Sequence, residues 1–238
     1  MFYNKFTAYR ARLERLYGFL LSTEEKHTAR QPDLTEVSDG LILENVALYR
    51  HNGEVLLDGI NINLKNGNSL LIRGPSGCGK TSLLRALAGL WPFGSSGKVS
   101  HPPLQDILFL PQRPYTAQGS LRDAICYPDI DKQHPELIEA MNTCRLGYLV
   151  DKLDKPDDWQ HKLSPGELQR VAFVRALLSQ PKVILLDEAT AALDEPTEAM
   201  LYRALKQKLP DSIIISIGHR STLNEFHDLC LDVGHVQC

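Results

Sequence analysis

Apolar residues fall in short runs along most of this chain, and their spacing alternates between that of strands and that of helices. Runs that are almost wholly apolar predict strands at residues 107–110, 183–187 and 212–217. Apolar positions at helical spacing predict helices at residues 80–89, 166–179 and 195–208, with a helix-rich stretch at 121–150. Strands without polar alternation are typical of a parallel sheet covered on both faces. The pattern therefore predicts an α/β fold with a mainly parallel core sheet.

The segment before the first predicted helix has a different pattern. Between residues 41 and 64, short apolar runs are broken by Asn52-Gly53 and Asp58-Gly59, dipeptides that favour hairpin turns. We therefore expect an antiparallel β-subdomain here, followed by a strand at residues 70–72.

The first forty residues differ from the rest of the chain. Their apolar residues recur at helical spacing opposite a charged face, which predicts an amphipathic helix over residues 3–22. A mostly polar stretch follows and predicts a linker that ends at Asp39-Gly40. Such a helix packs on its own domain, continues from an upstream segment or lies on a partner, and the pattern leaves these interpretations open. We divide the chain into residues 1–40 and a globular domain at residues 41–238.

Composition limits the classes of protein that fit. With 238 residues and 43% apolar content, the chain can bury the core of one large α/β domain. Its net charge of −3 gives no electrostatic reason to expect nucleic acid as a partner. Five cysteines without metal-binding spacing indicate a reducing compartment. No apolar run approaches the ~18 residues that span a bilayer, so we expect this chain alone to be soluble.

A glycine-rich motif follows the predicted strand at residues 70–72. Residues 74–81 match GxxxxGK[ST], a loop whose backbone N–H groups and following helix bind phosphate, as in P-loop NTPases. We expect Lys80 to reach the β- and γ-phosphates of a nucleoside triphosphate and Thr81 to ligate Mg²⁺. The residues predicted to bind the nucleotide here are Gly74, Pro75, Ser76, Gly77, Cys78, Gly79, Lys80, Thr81 and Ser82.

Two carboxylates end the buried strand that is predicted at residues 183–187. In doubly wound sheets such strand ends lie beside the phosphate loop. We therefore expect Asp187 to hold Mg²⁺, directly or through water, and Glu188 to be the base that polarises the attacking water. The plainer interpretation is that both residues only cap the next helix.

The distance between these two motifs is large. Gly74 and Asp187 are 113 positions apart (187 − 74), more than one crossover needs, so we expect an inserted helical subdomain at about residues 113–168. Its last helix begins in the sequence LSPGELQR at residues 163–170. This run resembles the signature of ATP-binding cassette (ABC) proteins, which is LSGGQ followed by one residue and Gln-Arg.

The signature departs from the family pattern at two positions. Pro165 replaces a glycine, and Glu167 replaces a glutamine. Proline is tolerated in the first helical turn because its missing N–H would lack a partner there anyway. An amide donor is nevertheless lost from the start of the helix.

Further motifs resemble those of ABC proteins and occur in the same order. Leu110-Pro111-Gln112 is similar to the Q-loop, residues 191–194 to the D-loop, and Gly218-His219-Arg220 to the switch-histidine loop. The resemblance implies that Gln112 contacts Mg²⁺ and the attacking water and that His219 contacts the γ-phosphate. Tyr49 lies 25 positions before Gly74 (74 − 49), where the family keeps an aromatic residue that stacks on adenine.

The resemblance also implies a shared site. The fold would be an ABC ATPase in which two copies pair head to tail, each ATP lying between one phosphate loop and the other copy's signature. The residues then expected to contact ATP from the signature and D-loop are Ser164, Gly166, Glu167 and Asp194. Catalytic roles are expected for Glu188, His219, Gln112 and Lys80, and Mg²⁺ contacts for Thr81, Gln112 and Asp187.

The motif details are most similar to half-transporters that include peroxisomal fatty-acyl carriers and bacterial carriers of peptides or cobalamin. The resemblance implies an ATP-hydrolysing domain on the cytoplasmic face of a membrane, most simply the bacterial inner membrane, with residues 1–40 ending a transmembrane region of the same polypeptide. One alternative is a soluble ABC ATPase that acts on ribosomes or DNA, although the chain has one cassette and no sustained heptads. A P-loop kinase fits less well, because nothing resembles an acceptor site.

Overall fold

The computed structural model describes residues 32–128 and 130–234, and the amphipathic helix predicted over residues 3–22 lies outside them. In chain order the strands are β1 (Asp33–Glu36), β2 (Leu41–Tyr49), β3 (Val55–Leu64), β4 (Ser69–Arg73), β5 (Ser95–His101), β6 (Ile107–Leu110), β7 (Gly119–Ser120), β8 (Pro156–Asp157), β9 (Val183–Asp187), β10 (Ile213–Ile217) and β11 (Leu229–Asp232). The α-helices are α1 (Lys80–Leu87), α2 (Leu121–Cys126), α3 (Leu137–Thr143), α4 (Trp159–Lys162), α5 (Pro165–Ser179) and α6 (Glu195–Lys208). Short 3-10 helices occupy Leu104–Asp106, Gly147–Lys152 and Ser221–Phe226.

A parallel sheet with the strand order β11-β4-β10-β9-β6 forms the central layer. Every residue of β9 and β10 is buried, as their unbroken apolar runs predict. The strands predicted at residues 107–110 and 183–187 are confirmed, and the third begins at Ile213 instead of residue 212. Because β4, β9 and β10 lie side by side, the loops that follow them meet at one edge of the sheet.

A second sheet, with the order β1-β5-β2-β3, contains the predicted antiparallel subdomain. β2 and β3 pair antiparallel, and Asn52-Gly53 lies in the turn between them. The Arg50 N–H closes that turn by donating to the Glu54 carbonyl over 2.8 Å. The first of the two predicted hairpin turns is therefore confirmed.

The second predicted turn, at Asp58-Gly59, is wrong because both residues lie inside β3. The step from Val46 to Leu48 on β2 is matched by the longer step from Ile60 to Leu57 on β3. An extra residue in one strand is a β-bulge, which tolerates the same positive φ that glycine provides in turns. Gly59 has a φ of 65°.

Part of the predicted linker is also a strand. β1 pairs in parallel with β5, with Asp33 opposite Lys98 and Glu36 opposite His101. All four side chains of β1 are exposed, so backbone pairing forms the strand and no apolar pattern marks it.

The helices from α2 to α5 form the inserted subdomain between β6 and β9. Helix α5 confirms the helix predicted at residues 166–179 and begins one residue earlier, at Pro165. It buries Phe173 and Val174 in the core shared by α2, α3 and the parallel sheet. Across the described ranges, no helix has the length and apolar character that crossing a membrane requires.

Candidate active site

The loop between β4 and α1 holds the GxxxxGK[ST] motif in a tight turn. Gly74 has a φ of 145°, and a Cβ atom there would lie 1.8 Å from the Val233 carbonyl oxygen, so only glycine fits. Gly79 precedes α1 with a φ of 102°, and no side chain in the described part of the chain caps this helix start. The first N–H groups of α1 are therefore left for a ligand, and the helix dipole favours an anionic one.

Lys80 is 7% exposed, and its ammonium group lies within the loop. Its Nζ donates to the carbonyl oxygens of Gly74 over 2.8 Å and of Pro75 over 2.7 Å. Two neutral carbonyls give a buried ammonium no counter-charge, and burial of a charge is costly unless it is paired. Nucleotide phosphates would supply that charge, so the loop fits the predicted ligand.

Thr81 and Asp187 join the phosphate loop to the end of β9. Thr81 Oγ1 donates to Asp187 Oδ1 over 2.8 Å, and Asp187 is 7% exposed. Burial raises the pKa of Asp187 above its usual range, and the neighbouring Glu188 carboxylate adds to the rise.

The Thr81 and Asp187 pair offers one hydroxyl and one carboxylate, which are the oxygen ligands that Mg²⁺ prefers. Residues 32–128 and 130–234 contain no cluster of three or more His, Cys, Asp or Glu side chains placed to hold a metal. A Mg²⁺ ion at this pair would take the rest of its ligands from the predicted Gln112 side chain and from water and phosphate oxygens.

Glu188 contacts side chains from two other loops. Gln112 Nε2 donates to Glu188 Oε2 over 2.8 Å, and His219 Nε2 lies 3.2 Å from Glu188 Oε1. These three residues follow β6, β9 and β10, so the parallel sheet brings together the amide, the carboxylate and the imidazole that the sequence predicts as catalytic. The side chains of Glu188 and His219 are 31% and 60% exposed, which leaves them accessible to a substrate.

The backbone of Glu188 is in a conformation that is rare for its residue type. Its φ is 49°, in the left-handed region, which costs a residue with a side chain about 1–3 kcal/mol. The Glu188 N–H donates to the Ile217 carbonyl over 3.1 Å, so the end of β10 holds this conformation. Such strained backbone is frequent at active sites.

The signature motif forms the start of α5. Ser164 is the N-cap, and a capping box joins it to Glu167: the Ser164 N–H and hydroxyl donate to Glu167 Oε2 over 2.7 Å and 2.5 Å. The Tyr148 hydroxyl donates to the other oxygen of Glu167. Burial acts to raise the pKa of Glu167, but the hydrogen bonds from Ser164 and Tyr148 outweigh it and lower the pKa. The substituted Glu167 thus has a local role in forming the helix start.

Gly166 and Asp194 lie where the signature meets the D-loop. A Cβ atom on Gly166 would lie 3.2 Å from the Ala192 carbonyl oxygen. Asp194 caps α6 by accepting from the Thr197 N–H over 3.2 Å, and hydrogen bonds from the Thr197 side chain and N–H lower the pKa of Asp194. Among the described contacts, no hydrogen bond joins Ser164, Glu167 or Asp194 to the phosphate loop. The structure therefore divides the predicted residues into a set around Lys80 and Glu188 and a set at the starts of α5 and α6.

Gln169 joins these two sets, and the sequence gives no signal of this beyond its place in the signature. Its side chain is buried, with 2% exposure. Nε2 donates to the Gln112 carbonyl over 3.1 Å, and Oε1 accepts from the Ala192 N–H over 3.0 Å. One buried amide thus connects the start of the signature helix with the loops of Gln112 and Asp194.

Tyr49 lies at the end of β2, beside a cavity of about 260 Å³ that adjoins the phosphate loop. Its hydroxyl lies 3.0 Å from Ser96 Oγ, and its carbonyl accepts from Trp91 Nε1 over 3.2 Å. The residues that line the cavity are Arg50, His51, Leu56, Gly77, Trp91 and Phe93. The stacking role of Tyr49 stays a prediction, and the aromatic rings of Trp91 and Phe93 are a second possible platform for a base.

Comparison with known proteins relates these features to a family. A family model described as ABC transporter matches residues 57–191. An uncharacterized ABC transporter ATP-binding protein of Haemophilus influenzae is 52% identical over 98% of this chain and 40% of its own length. The lysosomal cobalamin transporter ABCD4 of Homo sapiens is 37% identical over 84% of this chain and 35% of its own length. The chain thus spans less than half the length of these curated relatives.

A solved structure shares the fold. A bacterial Atm1-family ABC exporter with ATP bound matches 84% of this chain and 40% of its own chain, with a TM-score of 0.71 and 24% sequence identity. At this identity the match establishes the common fold of the parallel sheet, the antiparallel strands and the helices.

Proposed function

The chain belongs to the ABC transporter family. We propose that it is an ATP-binding, ATP-hydrolysing domain that drives transport across a membrane with the residues assembled around Glu188. The observation that carries this proposal is the meeting of three loops at one carboxylate. Gln112 lies 2.8 Å and His219 lies 3.2 Å from Glu188, next to the Thr81 and Asp187 pair. The relatives described as ABC transporter proteins support the transporter over the soluble alternative.

We assign the chemistry to four side chains of this site. Glu188 would accept a proton from the water that attacks the γ-phosphate, and Gln112 would orient that water from the other side. His219 would donate a hydrogen bond to the γ-phosphate, and Lys80 would exchange its bonds to the Gly74 and Pro75 carbonyls for bonds to phosphate. Mg²⁺ held by Thr81, Asp187 and Gln112 would neutralise charge that develops on the phosphate oxygens.

We further propose that two copies complete each site head to tail. Ser164, Gly166 and Asp194 lie at the starts of α5 and α6, and none has a hydrogen bond to the phosphate loop in the described residues. A second copy would place these helix starts against the γ-phosphate, where their dipoles favour negative charge. The γ-phosphate would thereby stabilise the closed pair, and hydrolysis would release it.

The transmembrane partner, we propose, docks in a groove beside the helical subdomain. A cavity of about 520 Å³ lies between β6 and the start of the helical subdomain, with Tyr127, Ile130 and Arg175 among its lining residues. Arg175 donates from Nη2 to the Ala124 carbonyl over 2.5 Å, but its buried Nε has no acceptor among the described residues. Burial lowers the pKa of Arg175 to about 10. A helix end whose carbonyls or carboxylate reached Nε would satisfy this donor.

The groove's occupant would come from the same full-length polypeptide. The chain spans 40% of its Haemophilus influenzae relative, which leaves ample length there for a membrane region. On this proposal the part of residues 1–40 that precedes β1 connects that region to the ATP-binding domain, which lies on the cytoplasmic face, most simply of a bacterial inner membrane. The similarity to a lysosomal cobalamin transporter makes an organic solute the first class of substrate to test.

The experiment that tests the ATPase assignment compares Glu188→Gln with the parent chain. We expect ATP to bind both proteins with similar affinity, while turnover falls by about 10²–10⁴-fold because the base is lost. Glu136→Gln, an exposed carboxylate of the helical subdomain, is the matched control and should keep the parental rate. Equal turnover in Glu188→Gln and the parent would remove Glu188 from the role of base.

A further inference from the structure

Glu198 is a buried carboxylate that the chemistry above does not use. It lies in the first turns of α6 and is 1% exposed. Glu198 Oε2 accepts from the Thr190 hydroxyl over 2.5 Å, and Oε1 accepts from the Thr222 hydroxyl over 3.1 Å. Arg220 Nη1 lies 3.6 Å from Glu198 Oε2. One side chain thus contacts three residues from two loops.

These partners lie next to the reacting residues in the chain. Thr190 follows Glu188 by two positions, and Arg220 follows His219 directly. The loop of Glu188 and the loop of His219 follow neighbouring strands, β9 and β10. Glu198 therefore contacts both the loop that carries Glu188 and the loop that carries His219. The side chains of Glu188 and His219 lie 3.2 Å apart.

The electrostatics of this cluster show why a neutral residue could not replace Glu198 without effect. Arg220 Nη1 is buried and makes no hydrogen bond within the described residues, so the Glu198 carboxylate is the charge that compensates it. The Arg220 side chain is 33% exposed as a whole, and a guanidinium whose buried nitrogen loses its partner charge is disfavoured, so the loop can relieve this cost by moving that nitrogen toward water. Such a movement of Arg220 would carry His219 with it, because the two residues are adjacent.

We propose that Glu198 is a positioning residue for ATP hydrolysis. Through its contacts with Arg220, Thr222 and Thr190, Glu198 holds His219 in place relative to Glu188. The inference rests on the proposed function of Glu188 and His219. It adds a group that touches neither ATP nor water and acts through the loop of His219. Its loss should therefore affect the chemical step more than the binding of ATP.

The first test is Glu198→Gln, which keeps the size of the side chain and removes its charge. We expect kcat to fall by about 10- to 100-fold, as for small misplacements of catalytic groups, with ATP affinity within about twofold of the parent. Glu225→Gln, an exposed carboxylate on the segment after His219, is the control and should keep the parental kcat. A kcat for Glu198→Gln within about twofold of the parent would overturn the inference.

The second test separates positioning from general structural damage. In the His219→Ala background, Glu198→Gln should cause no further loss of kcat, because the residue through which it acts is gone. Two losses that multiply would contradict the proposal. If Glu198→Gln does not fold, Thr222→Val removes one donor to the same carboxylate and takes its place in the same cycle, with a smaller expected loss of kcat.

Failure of this inference is distinguishable from failure of the proposed function. If the parent chain binds no ATP, or if Glu188→Gln hydrolyses ATP as fast as the parent, both the proposed function and the inference are wrong. A parent that depends on Glu188 and His219 but is indifferent to Glu198→Gln would remove the inference alone.

Discussion

Gln169 Nε2 donates to the main-chain carbonyl of Gln112 over 3.1 Å, although the two residues are 57 positions apart in sequence. The same amide accepts from the Ala192 N–H over 3.0 Å. The signature helix α5 is therefore tied by one side chain to the loop that carries Gln112 and to the loop that carries Asp194. Movement of the helical subdomain would reach the backbone of Gln112 through this contact.

Removal of the Gln169 amide should destabilise the domain. Gln169→Ala would remove a buried side chain together with its two part-buried hydrogen bonds to the Gln112 carbonyl and the Ala192 N–H, each of which contributes about 0.5–1.5 kcal/mol. Urea unfolding should show this loss, while Gln207→Ala on the exposed face of α6 should stay within about 0.5 kcal/mol of the parent. Equal stabilities of the two variants would show that the amide bridge is not formed in solution.

Lys80→Ala should weaken nucleotide binding itself. Hydrogen bonds to charged groups contribute about 1.5–3 kcal/mol, so we expect ATP affinity to fall by roughly 10- to 150-fold. Titration calorimetry gives the affinity, and Lys98→Ala on β5, whose partner Glu44 is a surface residue, is the control. Unchanged affinity in Lys80→Ala would contradict the phosphate-loop assignment.

Stability should depend on pH through Asp187. Because burial raises its pKa in the folded state above the unfolded value, the folded protein retains this proton more tightly. The associated stability is fully present below the unfolded pKa and is lost as the pH rises through the folded pKa. Asp187→Asn should therefore be more stable than the parent at neutral pH, and the gain should shrink as the pH falls toward about 4.

Asp194→Asn is the comparison variant, because the pKa of Asp194 is shifted in the opposite direction to that of Asp187. Hydrogen bonds from the Thr197 side chain and N–H lower the pKa of Asp194, so its carboxylate contributes stability that is present above the unfolded pKa and lost as the pH falls. Urea unfolding at several pH values should show a gain for Asp187→Asn and no gain for Asp194→Asn. A loss of stability in Asp187→Asn at neutral pH would contradict the burial cost assigned to the Asp187 carboxylate.

Tyr49 can be tested as the base-stacking residue. Stacking of a base on an aromatic ring contributes about 1–3 kcal/mol, so Tyr49→Ala should weaken ATP binding about 5-fold or more, and Tyr49→Phe should retain it. Trp91→Ala is the informative comparison, because Trp91 lines the cavity beside Gly77. A loss of ATP affinity in Trp91→Ala but not in Tyr49→Ala would show that the base stacks on Trp91 instead of Tyr49.

The sequence predicts most of this site because its chemistry is concentrated at strand ends. Asp187 ends a strand that an apolar run reveals, Lys80 and His219 lie beyond the ends of two others, and parallel order brings such ends together. The family assignment made from the LSPGELQR run is confirmed by the matching family model and relatives. Antiparallel pairing of β2 and β3 is likewise predicted from its turn at Asn52-Gly53.

Contacts between distant segments are harder to predict. Gln169 and Glu198 are ordinary helix residues in sequence, and only the fold places Gln169 against Gln112 and Glu198 against Thr222. β1 has no buried side chain, so the apolar pattern contains no trace of it. Asp58-Gly59 has the composition of a turn but forms a bulge, because the same positive φ serves both.

The shared site is the central claim, and light scattering on the Glu188→Gln protein during size-exclusion chromatography tests it most directly. With ATP and Mg²⁺, we predict a shift from monomer to dimer, because the uncleaved γ-phosphate keeps the loop of one copy bound to the signature of the other. Without nucleotide the protein should elute as a monomer. A protein that binds ATP with the expected affinity and yet remains a monomer at every concentration would contradict closure through Ser164 and Gly166.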